Sequence, residues 1–200
     1  MSFNTKYKIG SKYNHSFYSN VIKKHGISHE AVHWQSKYTQ YKRFEILTSF
    51  IIDDIKNSSI VDAGCGFAEF YVYLKKNSLE PKEYIGLDME EDMIRLAKKR
   101  LNHLDLKVSN ILKETLLIKD YYICSGALNI LTKEETLIFI SKCFNNSNKG
   151  FIFNFLKKDT LNNVDYNDII EFCRELPCEI KVQNGYLEND ISVYLKKSLD

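Results

Sequence analysis

The feature that most restricts this chain is the run Ile60-Val61-Asp62-Ala63-Gly64-Cys65-Gly66. Two β-branched residues open a short buried strand, and two glycines follow with one residue between them. Gly64 and Gly66 carry no side chain, so the backbone can bend sharply there and approach a ligand closely. The turn feeds a helix expected to start near Phe67 and marked by Phe67, Phe70, Tyr71 and Leu74. The free N–H groups of its first turn face whatever the glycine turn holds. A strand, a tight turn and a helix form the opening unit of a sheet with parallel strands.

The pattern continues along the chain. Residues 36–56 predict an amphipathic helix with Phe44, Leu47, Thr48, Ile51, Ile52 and Ile55 on its apolar stripe. After the glycine turn come a second strand at Tyr84-Ile85-Gly86-Leu87 and a helix striped by Met89, Met93, Leu96 and Ala97. Further strands are expected at Leu104–Val108, Tyr121–Cys124 and Phe151–Phe155, and Thr132 with Glu135 predicts a capping box ahead of Leu137, Ile140 and Phe144. Ile169, Phe172, Cys173 and Leu176 stripe the last helix. Ile180 and Val182, then Ile191, Val193 and Leu195, alternate with polar residues around a connector containing Asn184-Gly185. That connector is too short for a crossover helix, so the last two strands form an antiparallel hairpin. The fold class is therefore α/β, a doubly wound seven-stranded sheet, mostly parallel, with a C-terminal antiparallel hairpin. Residues 1–40 read as an N-terminal helical cap and residues 41–200 as the sheet domain.

Composition narrows the function classes. A net charge of +2 with dispersed lysines disfavours a nucleic-acid partner, and the basic run Lys98-Lys99-Arg100 reads as a solvated helix end. The longest apolar runs, such as Leu137-Ile138-Phe139-Ile140, are far too short for a membrane span. Five cysteines without ligand spacing imply reduced thiols, a cytoplasmic location and no metal site. The high Lys, Asn and Ile usage suggests an AT-rich bacterial genome.

Two residues test what the glycine turn could hold. A dinucleotide fingerprint places a third glycine at position 69, which here is Glu69, a carboxylate that opposes a pyrophosphate. Asp88 ends the second strand, 24 residues after Gly64, where a carboxylate can accept both hydroxyls of a ribose. Asp88 can also cap the following helix, and Asp62 can stabilise its turn.

Residues 59–130 resemble a class I, Rossmann-like, seven-stranded S-adenosylmethionine-dependent methyltransferase: Val61-Asp62-Ala63-Gly64-Cys65-Gly66 is similar to the first motif and Tyr84-Ile85-Gly86-Leu87-Asp88-Met89 to the second. The segment Trp34-Gln35-Ser36 followed by Arg43-Phe44-Glu45 resembles an N-terminal signature of small bacterial members whose substrate is unassigned. The resemblance implies S-adenosyl-L-methionine as cofactor and S-adenosyl-L-homocysteine as product. It implies that Ala63, Gly64, Cys65 and Gly66 pass beneath the methionine part, with Asp62 near its ammonium. Asp88 then holds the ribose, with Met89 and Met93 on the adenine side. Asn110 takes an adenine amino hydrogen on its amide oxygen, beside Ile111. Ser125 and Gly126 line the transfer face, Arg43 meets the cofactor carboxylate, and Trp34 belongs to a helix lying over the cofactor.

Methyl transfer from a sulfonium is an in-line displacement, so the protein's main task is alignment in a dry pocket. Candidate bases are His29 and His33, with Tyr13, Tyr18 and Asn129 as positioning groups. The short chain and mild charge point to a small-molecule substrate, methylated on oxygen or nitrogen. No Asn/Asp-Pro-Pro-Tyr motif stands at Ser125-Gly126-Ala127-Leu128, which disfavours base amines and glutamine amides. Cys178 reads as a core thiol. An RNA or protein methyltransferase and a non-catalytic cofactor-binding regulatory protein remain open alternatives, while Glu69 and the hairpin disfavour a nucleotide oxidoreductase. Nothing in the sequence sets the oligomeric state.

Overall fold

The computed structural model describes residues 37–158 and 164–198. Its elements are α1 (Lys37–Ser49), β1 (Ser59–Ala63), α2 (Glu69–Lys76), β2 (Glu83–Asp88), α3 (Glu91–Arg100), β3 (Asp105–Val108), β4 (Lys119–Ser125), α4 (Lys133–Asn145), β5 (Ser147–Leu156), α5 (Tyr166–Arg174), β6 (Glu179–Asn184) and β7 (Asp190–Lys196). The seven strands form one sheet in the order β3-β2-β1-β4-β5-β7-β6. The β1–β2, β1–β4, β2–β3 and β4–β5 pairs are parallel, and β7 runs antiparallel to both β5 and β6. The expected fold class and the closing hairpin are therefore present. Strand order reverses between β1 and β4, and in such sheets ligands bind in the crevice beyond the carboxyl ends of those strands.

Helices cover both faces, so the inner strands are apolar on both sides. Val61, Ala63, Tyr122, Cys124, Phe151 and Phe153 pack with Phe139, Ile140, Cys143 and Phe144 of α4 and with Ile169 and Cys173 of α5. Ile60, Tyr84, Ile123 and Ile152 face the other way, toward Phe44 and Leu47 of α1, Phe70 and Leu74 of α2, and Ile94 and Ala97 of α3. Alternation along β1 thus puts Asp62 on the face shared with α1, α2 and α3. The flanking strands of the sheet end differ. All of β7 but Lys196 is buried, whereas edge strand β6 is mostly exposed. Among the described residues no helix is long and apolar enough to cross a membrane.

Several local expectations shift. The capping box at Thr132 is present, with Thr132 Oγ1 accepting from Glu135 N–H and Glu135 accepting from Thr132 N–H. Ile140 and Phe144 of the expected stripe are buried, together with Thr136, Phe139 and Cys143, while Leu137 is half-buried beside them. The first helix ends at Ser49 rather than near residue 56, and Ile52 is exposed. Asp53 and Asp54 oppose the negative end of a helix, and Asp54 instead accepts from Tyr121 Oη and Lys149 Nζ. Helix α2 begins at Glu69, not Phe67, because Gly66 and Ala68 both take left-handed backbone angles. The β3–β4 connection contains no helix: Asn110 Oδ1 accepts Leu112 N–H and closes a local turn that competes with helical bonding.

Candidate functional site

The carboxyl ends of β1, β2 and β4 converge on the glycine turn. Gly64 N–H and Cys65 N–H both donate to Leu87 O, at 2.8 and 3.0 Å, which ties the turn to the end of β2. Gly64 has φ +81°, and a Cβ there would lie 2.5 Å from Ala127 Cβ in the loop after β4. The residue is thus glycine for two reasons, its backbone angle and the close approach of β4. Gly64→Ala is expected to cost about 2 kcal/mol in urea unfolding and to weaken ligand binding at the turn; a variant as stable as the parent contradicts this packing. The thiol of Cys65 turns away into the core beneath Gly86 and is pushed well above its ordinary range by burial and by the nearby Asp62 and Asp88 carboxylates.

Two acids occupy this corner. Asp62 is 2% exposed and accepts a hydrogen bond from Tyr84 Oη. Burial pushes its carboxyl up to about 7, against the opposing effect of the Tyr84 bond and reinforced by the negative charge of Asp88. Asp88 accepts Gly66 N–H at 2.8 Å on Oδ2 and Glu90 N–H at 2.9 Å on Oδ1. Its carboxyl is also raised by burial, which outweighs those amide bonds. It therefore braces the turn and caps the approach to α3; the Met89 amide is a further backbone donor, which leaves the carboxylate one lone pair for a ligand. A pair of buried carboxylates beside a turn without side chains at Gly64 and Gly66 is complementary to a ligand with a cation at one end and hydroxyl donors at the other.

The other expected site residues fall in several places. Met89 is half-buried after β2, and Met93 is buried in α3. Asn110 and Ile111 follow β3, but the amide oxygen of Asn110 already accepts Leu112 N–H, so an adenine amino group could use only its second lone pair. Ser109 and Asn110 are themselves held by Glu114. Ser125 and Gly126 end β4 at the crevice, with Gly126 at φ +84°. Asn129 lies in the turn beyond them, where its Oδ1 accepts Leu156 N–H at 3.0 Å. His29, His33, Trp34, Tyr13 and Tyr18 lie outside the described residues.

Two readings of charge change. Arg43, expected to meet a cofactor carboxylate, places Nε and Nη2 on the two oxygens of Asp190 at the start of β7. Glu69, expected to oppose a pyrophosphate as a free charge, pairs with Arg100, which also donates to Phe67 O at 2.8 Å. The case against a dinucleotide therefore rests on the missing third glycine and the hairpin, not on an unbalanced acid.

Sequence reasoning missed a polar row along the carboxyl ends of β4 and β5 and the amino end of β7. Ser125 Oγ donates to Asn154 Oδ1 at 3.0 Å, Asn154 Nδ2 reaches Asp190 Oδ1 at 3.4 Å, and Tyr186 Oη meets Ser192 Oγ at 2.8 Å. One signal was available: Asn154 interrupts the apolar run Phe151-Ile152-Phe153-Asn154-Phe155. Tyr84 Oη on Asp62 was also missed, since a tyrosine in an apolar strand reads as core.

Comparison with known proteins agrees with this geometry. Residues 54–187 match a family model described as a methyltransferase domain. Magnesium protoporphyrin IX methyltransferase from Synechocystis PCC 6803, solved with bound S-adenosylmethionine, superposes with a TM-score of 0.71 at 13% identity, covering 94% of each chain. An S-adenosylmethionine-dependent methyltransferase from Clostridium acetobutylicum gives a TM-score of 0.65 at 13% identity, covering 90% of this chain and 97% of its own. Protein 235L of Invertebrate iridescent virus 6, which carries a methyltransferase name, is 24% identical over 181 residues, 80% of this chain and 68% of its own.

Proposed function

The chain belongs to the methyltransferase-domain family, as a class I S-adenosylmethionine-dependent enzyme, and from that premise we propose that it methylates a small-molecule acceptor on oxygen or nitrogen. The observation that carries the proposal is the corner formed by the Gly64–Gly66 turn with buried Asp62 and Asp88. The cofactor's sulfonium supplies an activated methyl group, and the chain's residues do the rest. Asp62 neutralises the amino-acid ammonium, and the glycine turn lets the methionine part lie against bare backbone. Asp88 accepts a ribose hydroxyl on its remaining lone pair, and a second in exchange for one of its backbone amides, while Met89, Met93 and Ile111 border the adenine. Ser125 and Gly126 border the methyl and the acceptor. Residues 1–40 form a cap carrying Trp34, with His29 or His33 taking the acceptor's proton. Arg43 contributes indirectly, by docking α1 through Asp190.

Support for a small acceptor comes from charge: the net charge is +2, with the lysines dispersed rather than gathered in one run. The Synechocystis neighbour is named for a small-molecule acceptor. The test is incubation with methyl-labelled cofactor and three fractions of cell extract. Label is expected among metabolites. Label confined to RNA or protein replaces this acceptor class with a polymer. Cofactor binding without transfer to any fraction favours a regulatory protein. Replacing both His29 and His33 by alanine is expected to lower turnover of the identified acceptor about 100-fold, and unchanged turnover removes them as bases.

A further inference from the structure

We infer that Tyr84 is a positioning residue for cofactor binding: its hydroxyl donates to Asp62 and aims that carboxylate at the cofactor's ammonium. The inference rests on the assignment of Asp62 to the ammonium.

The geometry is a relay between two neighbouring inner strands, β2 and β1. Tyr84 lies on β2 beside Ile60 of β1, in the register that puts its side chain on the same face as Asp62. Its Oη lies 2.5 Å from Asp62 Oδ2. The backbone N–H of Tyr71, in the first turn of α2, faces the same hydroxyl oxygen. Amides of a helix's first turn have no acceptor within the helix, so the hydroxyl takes one of these and passes its own hydrogen to the carboxylate. The Tyr84 ring is held at 5.0 Å from the Tyr71 ring, and the side chain is 7% exposed. The hydroxyl thus has one orientation that serves both neighbours.

The relay meets an electrostatic need. Asp62 is surrounded by groups that resist its ionisation. Asp88 at the end of β2 repels it, and the Cys65 and Cys124 thiols beside it supply no positive charge. Tyr84 is the side chain that favours its negative form. The phenol stays a donor, since burial and the Asp62 charge push it well above its ordinary range. Asp62 therefore meets the ammonium already hydrogen-bonded, with the other oxygen left for the ligand.

Calorimetric titration with S-adenosylhomocysteine from pH 6 to 9 on wild type, Tyr84→Phe and Asp62→Asn tests this. Tyr84→Phe is expected to bind about tenfold more weakly near pH 7, with its affinity profile moved toward alkaline pH and the gap narrowing by pH 9. A merely structural loss would weaken binding equally at every pH, and that parallel result, or no loss at all, overturns the inference. Thermal melts of the ligand-free variants supply a second readout. Tyr84→Phe should steepen the fall of stability between pH 6 and 8, and an unchanged slope counts against the relay. Asp62→Asn separates the two levels of the argument. If it binds as tightly as wild type, the ammonium assignment fails. If it binds weakly while Tyr84→Phe tracks wild type, the relay alone fails.

Discussion

Asp62→Asn is expected to weaken S-adenosylhomocysteine binding about 100-fold while raising the melting temperature of the ligand-free protein at pH 8. Both effects come from one buried charge. Asp62 titrates near 7 in the folded chain, against an ordinary value of 3.8. Between those pH values the folded state holds a proton that the unfolded state has released, so stability falls as pH rises from about 4 to 7 and is level above. A displacement of about three pH units corresponds to roughly 4 kcal/mol. Asparagine removes the charge but needs partners for its amide hydrogens, so recovery of about 2 kcal/mol, or about 5 °C, is expected. Binding loses its charge partner for the ammonium, and this loss exceeds the gain in fold stability. Asp54 and Asp120 act in the opposite direction. Their carboxyls are held below the ordinary value, Asp54 chiefly by the Lys149 hydrogen bond and Asp120 by its bonds to Ser59 against the pull of burial. Their contribution is lost as pH falls below about 4. The ligand-free protein should therefore be most stable at mildly acidic pH, and the ligand should move that optimum upward. Melting curves at pH 5, 6, 7 and 8 with and without ligand check both shifts. A ligand-free wild type that gains stability from pH 5 to 8 contradicts the argument.

Arg43→Ala is expected to cost about 3–5 kcal/mol in urea unfolding. The Arg43 and Asp190 side chains are 10% and 4% exposed, and the pair joins α1 to β7 across 147 residues of sequence. Among the described residues, truncating the arginine leaves Asp190 buried with the 3.4 Å contact to Asn154 as its remaining side-chain hydrogen bond. The double replacement Arg43→Met with Asp190→Leu is expected to lose far less, since it removes both charges together and keeps the volume. Equal losses in the single and double variants show that the cost lies in packing around α1 instead. Because Asp190 connects through Asn154 to Ser125, the single variant should also raise the Michaelis constant for the acceptor more than that for the cofactor.

Much of the fold was legible because its signals are local. The Gly64-Cys65-Gly66 turn, the Thr132–Glu135 box and the short Asn184-Gly185 connector each carry their own geometry within a few residues. The places of Asp62 and Asp88, the corner we propose for the cofactor, were legible for the same reason, since both sit at strand ends beside the turn. What escaped were contacts between residues far apart in sequence. Nothing local in Arg43 points to Asp190, and nothing local in Glu69 points to Arg100, so both charges looked free. The Tyr84 hydroxyl was hidden because β2 reads as a continuous apolar run, and only the pairing of β1 with β2 brings it to Asp62. The first helix was read too long because Ile51, Ile52 and Ile55 keep a helical spacing past the point where Asp54 finds Tyr121 and Lys149.

The most direct measurement of the central claim is a calorimetric titration of the wild-type protein with S-adenosylhomocysteine and, separately, with NADH at pH 7.5. One S-adenosylhomocysteine should bind per chain, with Asp88→Ala and Asp62→Asn each weakening it strongly, and NADH should give no binding heat. Saturable NADH binding that competes at the glycine turn, or no binding of S-adenosylhomocysteine, would contradict the account.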